Sequence, residues 1–154
     1  MNLQARTLIS LSLLSVAALT TSPSFAEDWT ISAVQGCKTS LGNTIESGGG
    51  LKASGGTAVV SCPLTKEVGS DTINFVYARM NRFNAGGADP FCTLSSISNY
   101  GTPTSTTWGY ATDGAGTKSV SIPMPTQYSS GYANVYCVLN VNDTLYGIRY
   151  LQDN

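Results

Sequence analysis

The chain contains no histidine among its 154 residues. A Ser-His-Asp triad, a Cys-His pair and a histidine-ligated metal site all need that side chain, so the sequence excludes these three kinds of centre. It also lacks a glycine-rich segment ending in Gly-Lys-Ser/Thr, which a phosphate-binding loop requires. We therefore predict no cofactor, no metal site and no enzymatic activity.

Charge is also scarce. Charged residues make up 11% of the chain, against about 25% in an average soluble protein, and the formal net charge is −1. A nucleic-acid binder needs a basic footprint, and a peripheral membrane protein needs a polybasic surface. We predict no nucleic-acid partner and no membrane insertion once the N-terminal segment is removed.

Residues 1–26 have the three zones of a cleavable signal peptide. Arg6 precedes the apolar run 8–19, and the small residues Ser24 and Ala26 occupy positions −3 and −1 of a cut before residue 27. As a helix the apolar run spans about 18 Å, short of the roughly 30 Å hydrocarbon core. We predict cleavage after Ala26, a secreted or periplasmic location, and a single domain over residues 27–154.

The four cysteines all lie after the predicted cleavage site. An even number of cysteines in an exported chain predicts a disulfide framework. The sequence does not choose among the three possible pairings. We favour Cys37–Cys62, which closes a glycine-rich loop, and Cys92–Cys137, which joins two core strands.

The pattern after residue 26 is typical of strands, without a sustained helical period. Eight short strands are predicted, at residues 29–34, 57–64, 72–80, 91–97, 106–112, 118–124, 132–141 and 144–151. Residues 36–56, rich in glycine, are predicted to form a loop, and the Asn142-Asp143 turn predicts a hairpin between the last two strands. Regular short strands favour an all-β, antiparallel β-sandwich, with a closed barrel as the alternative.

Aromatic residues are the candidate binding groups. Trp108 and Tyr110 share one face of a predicted strand, and only small residues lie opposite. Either the pair packs in the core, the interpretation we favour, or it is exposed as a platform for sugar rings. Tyr132 and Tyr136 lie opposite a clear core face and are expected to be exposed. These four residues are the predicted contacts for a glycan or an extracellular protein.

Two other function classes stay open. A pilin-like assembly subunit would explain an exported two-disulfide sandwich, although the C-terminus lacks the penultimate aromatic residue common in such subunits. A small hydrolase without histidine would need a pair such as Ser61 and Lys66, and Ser61 has only an ordinary strand context.

The segment Val59–Glu67, VVSCPLTKE, precedes an aromatic strand with Phe75-Val-Tyr77. Cys92-Thr-Leu94 and Cys137-Val-Leu139 follow. This order resembles small exported bacterial proteins with a V-x-C-P-L segment and two disulfides. The resemblance implies a shared β-sandwich fold. That family has no assigned activity, so the resemblance implies no functional residue.

Overall fold

A computed structural model describes residues 27–65, 72–112, 114–127 and 131–153. The predicted signal peptide, residues 1–26, lies outside the described residues, and so does Lys66.

The described residues form eleven strands and one short helix. In chain order these are β1 (Glu27–Ser32), α1 (Ala33–Gly36), β2 (Lys38–Leu41), β3 (Thr44–Ser47), β4 (Gly50–Ala53), β5 (Ala58–Leu64), β6 (Thr72–Arg82), β7 (Phe91–Ile97), β8 (Pro103–Tyr110), β9 (Gly116–Ile122), β10 (Tyr132–Leu139) and β11 (Thr144–Asp153). All strand pairs are antiparallel.

The strands form two sheets, so the predicted antiparallel β-sandwich is confirmed. Sheet I has the order β3-β4-β11-β6-β9, and β1 pairs with β11 on the edge that β4 also uses. Sheet II has the order β2-β5-β10-β7-β8. Strand β10 is therefore the centre of sheet II, and β11 is the centre of sheet I.

The core lies between the sheets and follows the period-2 alternation of the strands. In β5 every second residue is buried, and in β10 the predicted core face from Ala133 to Leu139 is buried throughout. The largest side chains that are buried completely include Met80, Leu94 and Tyr150. Removing a side chain of this kind from water stabilises the fold by about 1.5–3 kcal/mol.

Both favoured disulfides are present. Cys37–Cys62 links the residue after α1 to β5, and Cys92–Cys137 joins β7 to β10 at directly opposed positions. Two disulfides are compatible with an extracellular or periplasmic location. Within the described ranges, no helix has both the length and the apolar character needed to cross a membrane.

The predicted loop over residues 36–56 is wrong, because this segment contains β2, β3 and β4. These strands are four residues each. β2 and β3 are largely exposed, with Leu41 and Ile45 pointing to solvent, and the buried Leu51 and Ala53 of β4 form too short an alternation to predict a strand. Their pairing with β5 and β11 decides their conformation.

The predicted hairpin between the last two strands is also wrong, since β10 and β11 belong to different sheets. The turn between them crosses from one sheet to the other. Asp143 in this turn is buried, and its carboxylate accepts the backbone N–H groups of Phe83 at 2.8 Å and Asn140 at 2.9 Å. These bonds hold the crossing in place.

Candidate functional site

The outer face of sheet II carries the predicted aromatic pair. Trp108 is 56% exposed and Tyr110 is 50% exposed, whereas Gly109 and Ala111 are buried. The favoured interpretation, a pair in the core, is therefore wrong. The small residues of β8 face inward, and the two rings face solvent.

Close packing between the sheets explains this orientation. A Cβ atom on Gly109 would lie 2.2 Å from the backbone oxygen of Ser121 and 2.9 Å from Cγ1 of Val120, both on β9. Only a residue without a side chain fits between the two strands at this point. The Thr107 hydroxyl also donates a hydrogen bond to the carbonyl of Pro123. Strand β8 is thus held with its large rings outward.

The register of sheet II places a second aromatic residue across from Trp108. Trp108 is the partner of Thr93 on β7, and Thr93 is the partner of Tyr136 on β10. Two interstrand spacings separate the backbones of Trp108 and Tyr136 by about 10 Å. We call the space above Thr93, between Trp108 and Tyr136, the aromatic slot.

An apolar row borders one end of the aromatic slot. Tyr110 pairs with Phe91, and Phe91 pairs with Val138, so these three residues lie side by side on the outer face. The rings of Tyr110 and Phe91 are 5.4 Å apart between centroids, with a 36° tilt. Phe91 and Val138 are half-buried. This end offers a continuous apolar surface.

A polar row borders the other end. Thr106, Ser95 and Asn134 are successive partners across β8, β7 and β10. The hydroxyls of Ser95 and Thr106 are 3.2 Å apart, and the Asn134 side-chain amide donates to the Ser61 hydroxyl at 2.9 Å. The Ser61 hydroxyl in turn lies within 3.2 Å of Asn134 Oδ1. Ser95 and Asn134 are buried, so the hydroxyl exposed at this end is that of Thr106.

Of the four predicted contacts, Trp108, Tyr110 and Tyr136 lie close together at the aromatic slot. Tyr136 is half-buried, and Tyr132 is 48% exposed on the same face. Tyr132 is four residues from Tyr136 along β10, a distance of about 13 Å, and it lies beyond the polar row. Tyr132 is thus on the predicted face but outside the slot.

Phe91 and Thr93 are part of this surface and are absent from the sequence-based prediction. Their alternation with the buried residues Cys92 and Leu94 is readable in the sequence. The sequence does not reveal that β7 lies between β8 and β10, because no local feature specifies the strand order.

The structure gives no distance for the alternative catalytic pair of Ser61 and Lys66, because Lys66 lies outside the described residues. The Ser61 hydroxyl is hydrogen-bonded to Asn134. In the part of the chain that the structure describes, no group of three His, Cys, Asp or Glu side chains is placed to hold a metal ion.

No protein-family model matches the chain, and no curated protein matches it significantly. The resemblance to small exported proteins of the V-x-C-P-L type therefore stays a prediction.

Two neighbouring substitutions in β8 are expected to differ in their effect on stability, and the one at the smaller residue is expected to cost more. Trp108→Ala removes a ring that faces solvent, and we expect it to lower the free energy of unfolding by less than about 1 kcal/mol. Gly109→Ala removes nothing, yet its new methyl group meets the β9 backbone, and we expect a loss of about 2 kcal/mol or more. Urea unfolding of both variants measures the difference; a larger loss for Trp108→Ala would contradict this orientation of β8.

Proposed function

We propose that the protein is an exported, non-enzymatic binding protein that holds a neutral glycan in the aromatic slot. The observation that carries this proposal is the placement of Trp108 and Tyr136 on either side of the short Thr93 side chain. Cleavage after Ala26 and a secreted or periplasmic location are part of the proposal.

The dimensions of the slot suit a sugar ring. A ring stacked between two aromatic side chains makes a carbon–carbon contact of about 3.5–4.0 Å on each side, so the aromatic planes must stand about 7–8 Å apart. The backbones of Trp108 and Tyr136 are about 10 Å apart, which leaves room for this arrangement. The C–H faces of a pyranose are apolar and match the aromatic rings.

One end of the slot matches the hydroxyl groups of a sugar, and the other matches the apolar face of a neighbouring sugar unit. Thr106 is the exposed member of the polar row and offers its hydroxyl to the ligand, whereas the buried Ser95 and Asn134 hold the row in place through hydrogen bonds to Thr106 and Ser61. The apolar row at Tyr110 and Phe91 extends the stacking surface toward a neighbouring sugar unit. A few placed polar groups beside an apolar surface are typical of small-molecule sites.

The slot is supported by a rigid base. Cys92 and Cys137 precede Thr93 and follow Tyr136 in sequence, and their disulfide joins β7 to β10 on the inner face directly beneath the slot. A covalent link at this register keeps the two strands from shifting. A site that is ordered before binding loses less conformational entropy when the ligand arrives.

Truncation of either ring of the slot is expected to weaken glycan binding. The mature protein, residues 27–154, is screened against an array of neutral oligosaccharides, and the strongest ligand is titrated by calorimetry. Trp108→Ala and Tyr136→Ala each remove one stacking surface, and we expect each to weaken the affinity at least tenfold. A Trp29→Phe background leaves Trp108 as the remaining tryptophan of residues 27–154, so its fluorescence reports binding at the slot directly.

Phe75→Ala is the control for this experiment, because Phe75 is 52% exposed on the outer face of sheet I. We expect it to leave the affinity unchanged. No binding to any neutral glycan, or an equal loss for Phe75→Ala, would contradict the proposal.

A protein partner is the second candidate, because one apolar row crosses the whole of sheet II. Tyr110, Phe91, Val138, Val59 and Leu41 are successive partners from β8 to β2. Exposed apolar rows of this length are typical of protein-interaction surfaces. Leu41 lies on β2, two strands away from β10 and the slot. If Leu41→Ser loses binding of a protein partner and keeps its affinity for the glycan, this second function is favoured.

A pilin-like role through the last strand receives no support from the fold. Strand β11 already pairs with β6 on one edge and with β1 and β4 on the other. A donor strand must offer free backbone groups to a neighbouring subunit.

A further inference from the structure

The outer face of sheet I contains a groove of about 870 Å³, remote from the aromatic slot. We name it the Arg79 groove after a residue in its lining. Sites for small molecules generally measure about 300–1,000 Å³, so the groove is large enough for a ligand of several rings.

A glycine lies in the middle of the sheet beside the groove, where the β1 backbone comes close: a Cβ atom on Gly147 would lie 2.4 Å from the backbone oxygen of Ile31. Gly147 on β11 lies between Ser32 on β1 and Arg79 on β6 in one row across sheet I. Gly147 and Ser32 are both much smaller than Arg79, which flanks them in this row. In the adjacent row, Arg149 and Tyr77 are direct partners and form one side of the depression.

The lining is cationic in a chain that is otherwise slightly acidic. Arg79, Lys118 and Arg149 contribute to it, while the formal net charge of the chain is −1. Carboxylate side chains are absent from this lining among the residues that the structure describes. The groove therefore complements a negatively charged ligand.

The two arginines differ in their partners. Arg149 Nε donates to Asp28 Oδ1 at 2.9 Å, and this hydrogen bond holds the pKa of the Asp28 carboxyl below its usual range. The ion pair orients the Arg149 guanidinium and the two charges compensate each other, so Arg149 adds little net charge to the groove. Between side chains within the described ranges, the ion pairs are Arg82–Asp89 and Arg149–Asp28, so Arg79 keeps its charge available for a ligand.

The uncharged residues of the lining indicate what chemistry the ligand has besides its negative charge. Tyr77 and Tyr146 offer two rings, and hydroxyl groups come from Thr30, Ser32 and Ser119. Rings and hydroxyls suit the two kinds of surface that a saccharide presents, and a planar guanidinium binds a carboxylate through paired hydrogen bonds. We propose that the Arg79 groove binds an acidic saccharide whose carboxylate is held by Arg79.

The test uses trigalacturonic acid, a trimer of uronic-acid sugars, and its methyl ester, titrated into the mature protein at low salt. The carboxylate carries the charge-assisted bond, so we expect the ester to bind at least tenfold more weakly. Arg79→Gln is expected to weaken binding of the acid at least tenfold as well. Raising the salt from 0.1 M to 1 M shortens the screening length from about 10 Å to about 3 Å, and should weaken binding further.

Lys38→Gln is the matched control, since it removes one positive charge from an exposed strand of sheet II. We expect less than a twofold effect. An equal loss in Lys38→Gln and Arg79→Gln would mean diffuse attraction and would overturn the proposal. Equal affinity for acetate or sulfate would mean a simple anion site and would overturn the saccharide assignment, and so would equal affinity for the ester.

This proposal is independent of the aromatic slot. Trp108→Ala is expected to leave trigalacturonate binding unchanged, while Arg79→Gln is expected to leave neutral-glycan binding unchanged. Tyr77→Ala tests the ring contact, with an expected loss for the trimer of about threefold to tenfold. If Trp108→Ala abolishes binding of the trimer, the acidic ligand occupies the slot and the Arg79 groove is not its site.

Discussion

Replacing Cys92 and Cys137 together by alanine is expected to lower the free energy of unfolding by about 4 kcal/mol. The bond closes a loop with a sequence separation of 45 residues, and opening it restores the conformational entropy of that loop to the unfolded chain. Both residues are fully buried between the sheets, so the alanines also leave a small cavity. Domains of this size are stable by only about 5–15 kcal/mol.

Urea unfolding under non-reducing conditions measures this loss. The Cys37→Ala, Cys62→Ala double variant is the control, because its loop has a separation of 25 residues and a predicted contribution of about 3.5 kcal/mol. Reduction of the unaltered protein should reproduce the sum of the two losses to within about 1 kcal/mol. A loss below about 1 kcal/mol for the Cys92 and Cys137 variant would contradict the prediction.

The second large effect is expected at Arg82, at the end of β6. Its side chain is only 5% exposed, and its guanidinium donates to the carbonyl oxygens of Asn84, Ala85 and Gly87 at 2.9–3.1 Å. It also forms an ion pair with Asp89 at 2.7 Å. These bonds organise the connection between β6 and β7, and so they position the start of the strand that carries Phe91 and Thr93.

We expect Arg82→Met to lower the free energy of unfolding by about 3 kcal/mol, because three loop carbonyls lose their charged donor and the ion pair with Asp89 is broken at once. Arg79→Met is a matched control on the same strand, and its exposed position predicts a change within about 0.5 kcal/mol. Asp89→Asn removes only the ion pair, which is partly exposed, and should cost about 1 kcal/mol or less. Thermal or urea unfolding of the three variants ranks them; equal losses for Arg82→Met and Arg79→Met would contradict the role of Arg82.

Local pattern predicted the strands that have a buried face. The alternation around Cys62 and around Cys137 indicates which side faces the core, because side chains of a strand point alternately to its two sides. The bounds of β7 are predicted without error, and β5 and β10 differ from their predicted bounds by at most two residues. Strands β2 and β3 are largely exposed and lack such a pattern, and β4 is too short to show it; pairing of β2 with β5, β4 with β11 and β3 with β4 orders them.

The orientation of Trp108 shows that local sequence pattern alone does not decide which side of β8 is buried. A strand with large residues on one side and small ones on the other fits the core in either orientation. The separation of β8 from β9 decides between the two, because the backbone of Ser121 leaves space only for Gly109. That distance depends on how the two sheets pack, and no local segment specifies it.

The sequence by itself determined the all-β class, the core faces of the main strands and the chemistries that a chain without histidine cannot perform. These properties depend on residue type and on short-range alternation. Tertiary structure decided which strands are neighbours, and thereby placed Trp108 opposite Tyr136 and Arg79 beside Gly147. The physical reason is that a strand's own residues set which face is buried, whereas its neighbours are set by the packing and pairing of segments far apart in the chain.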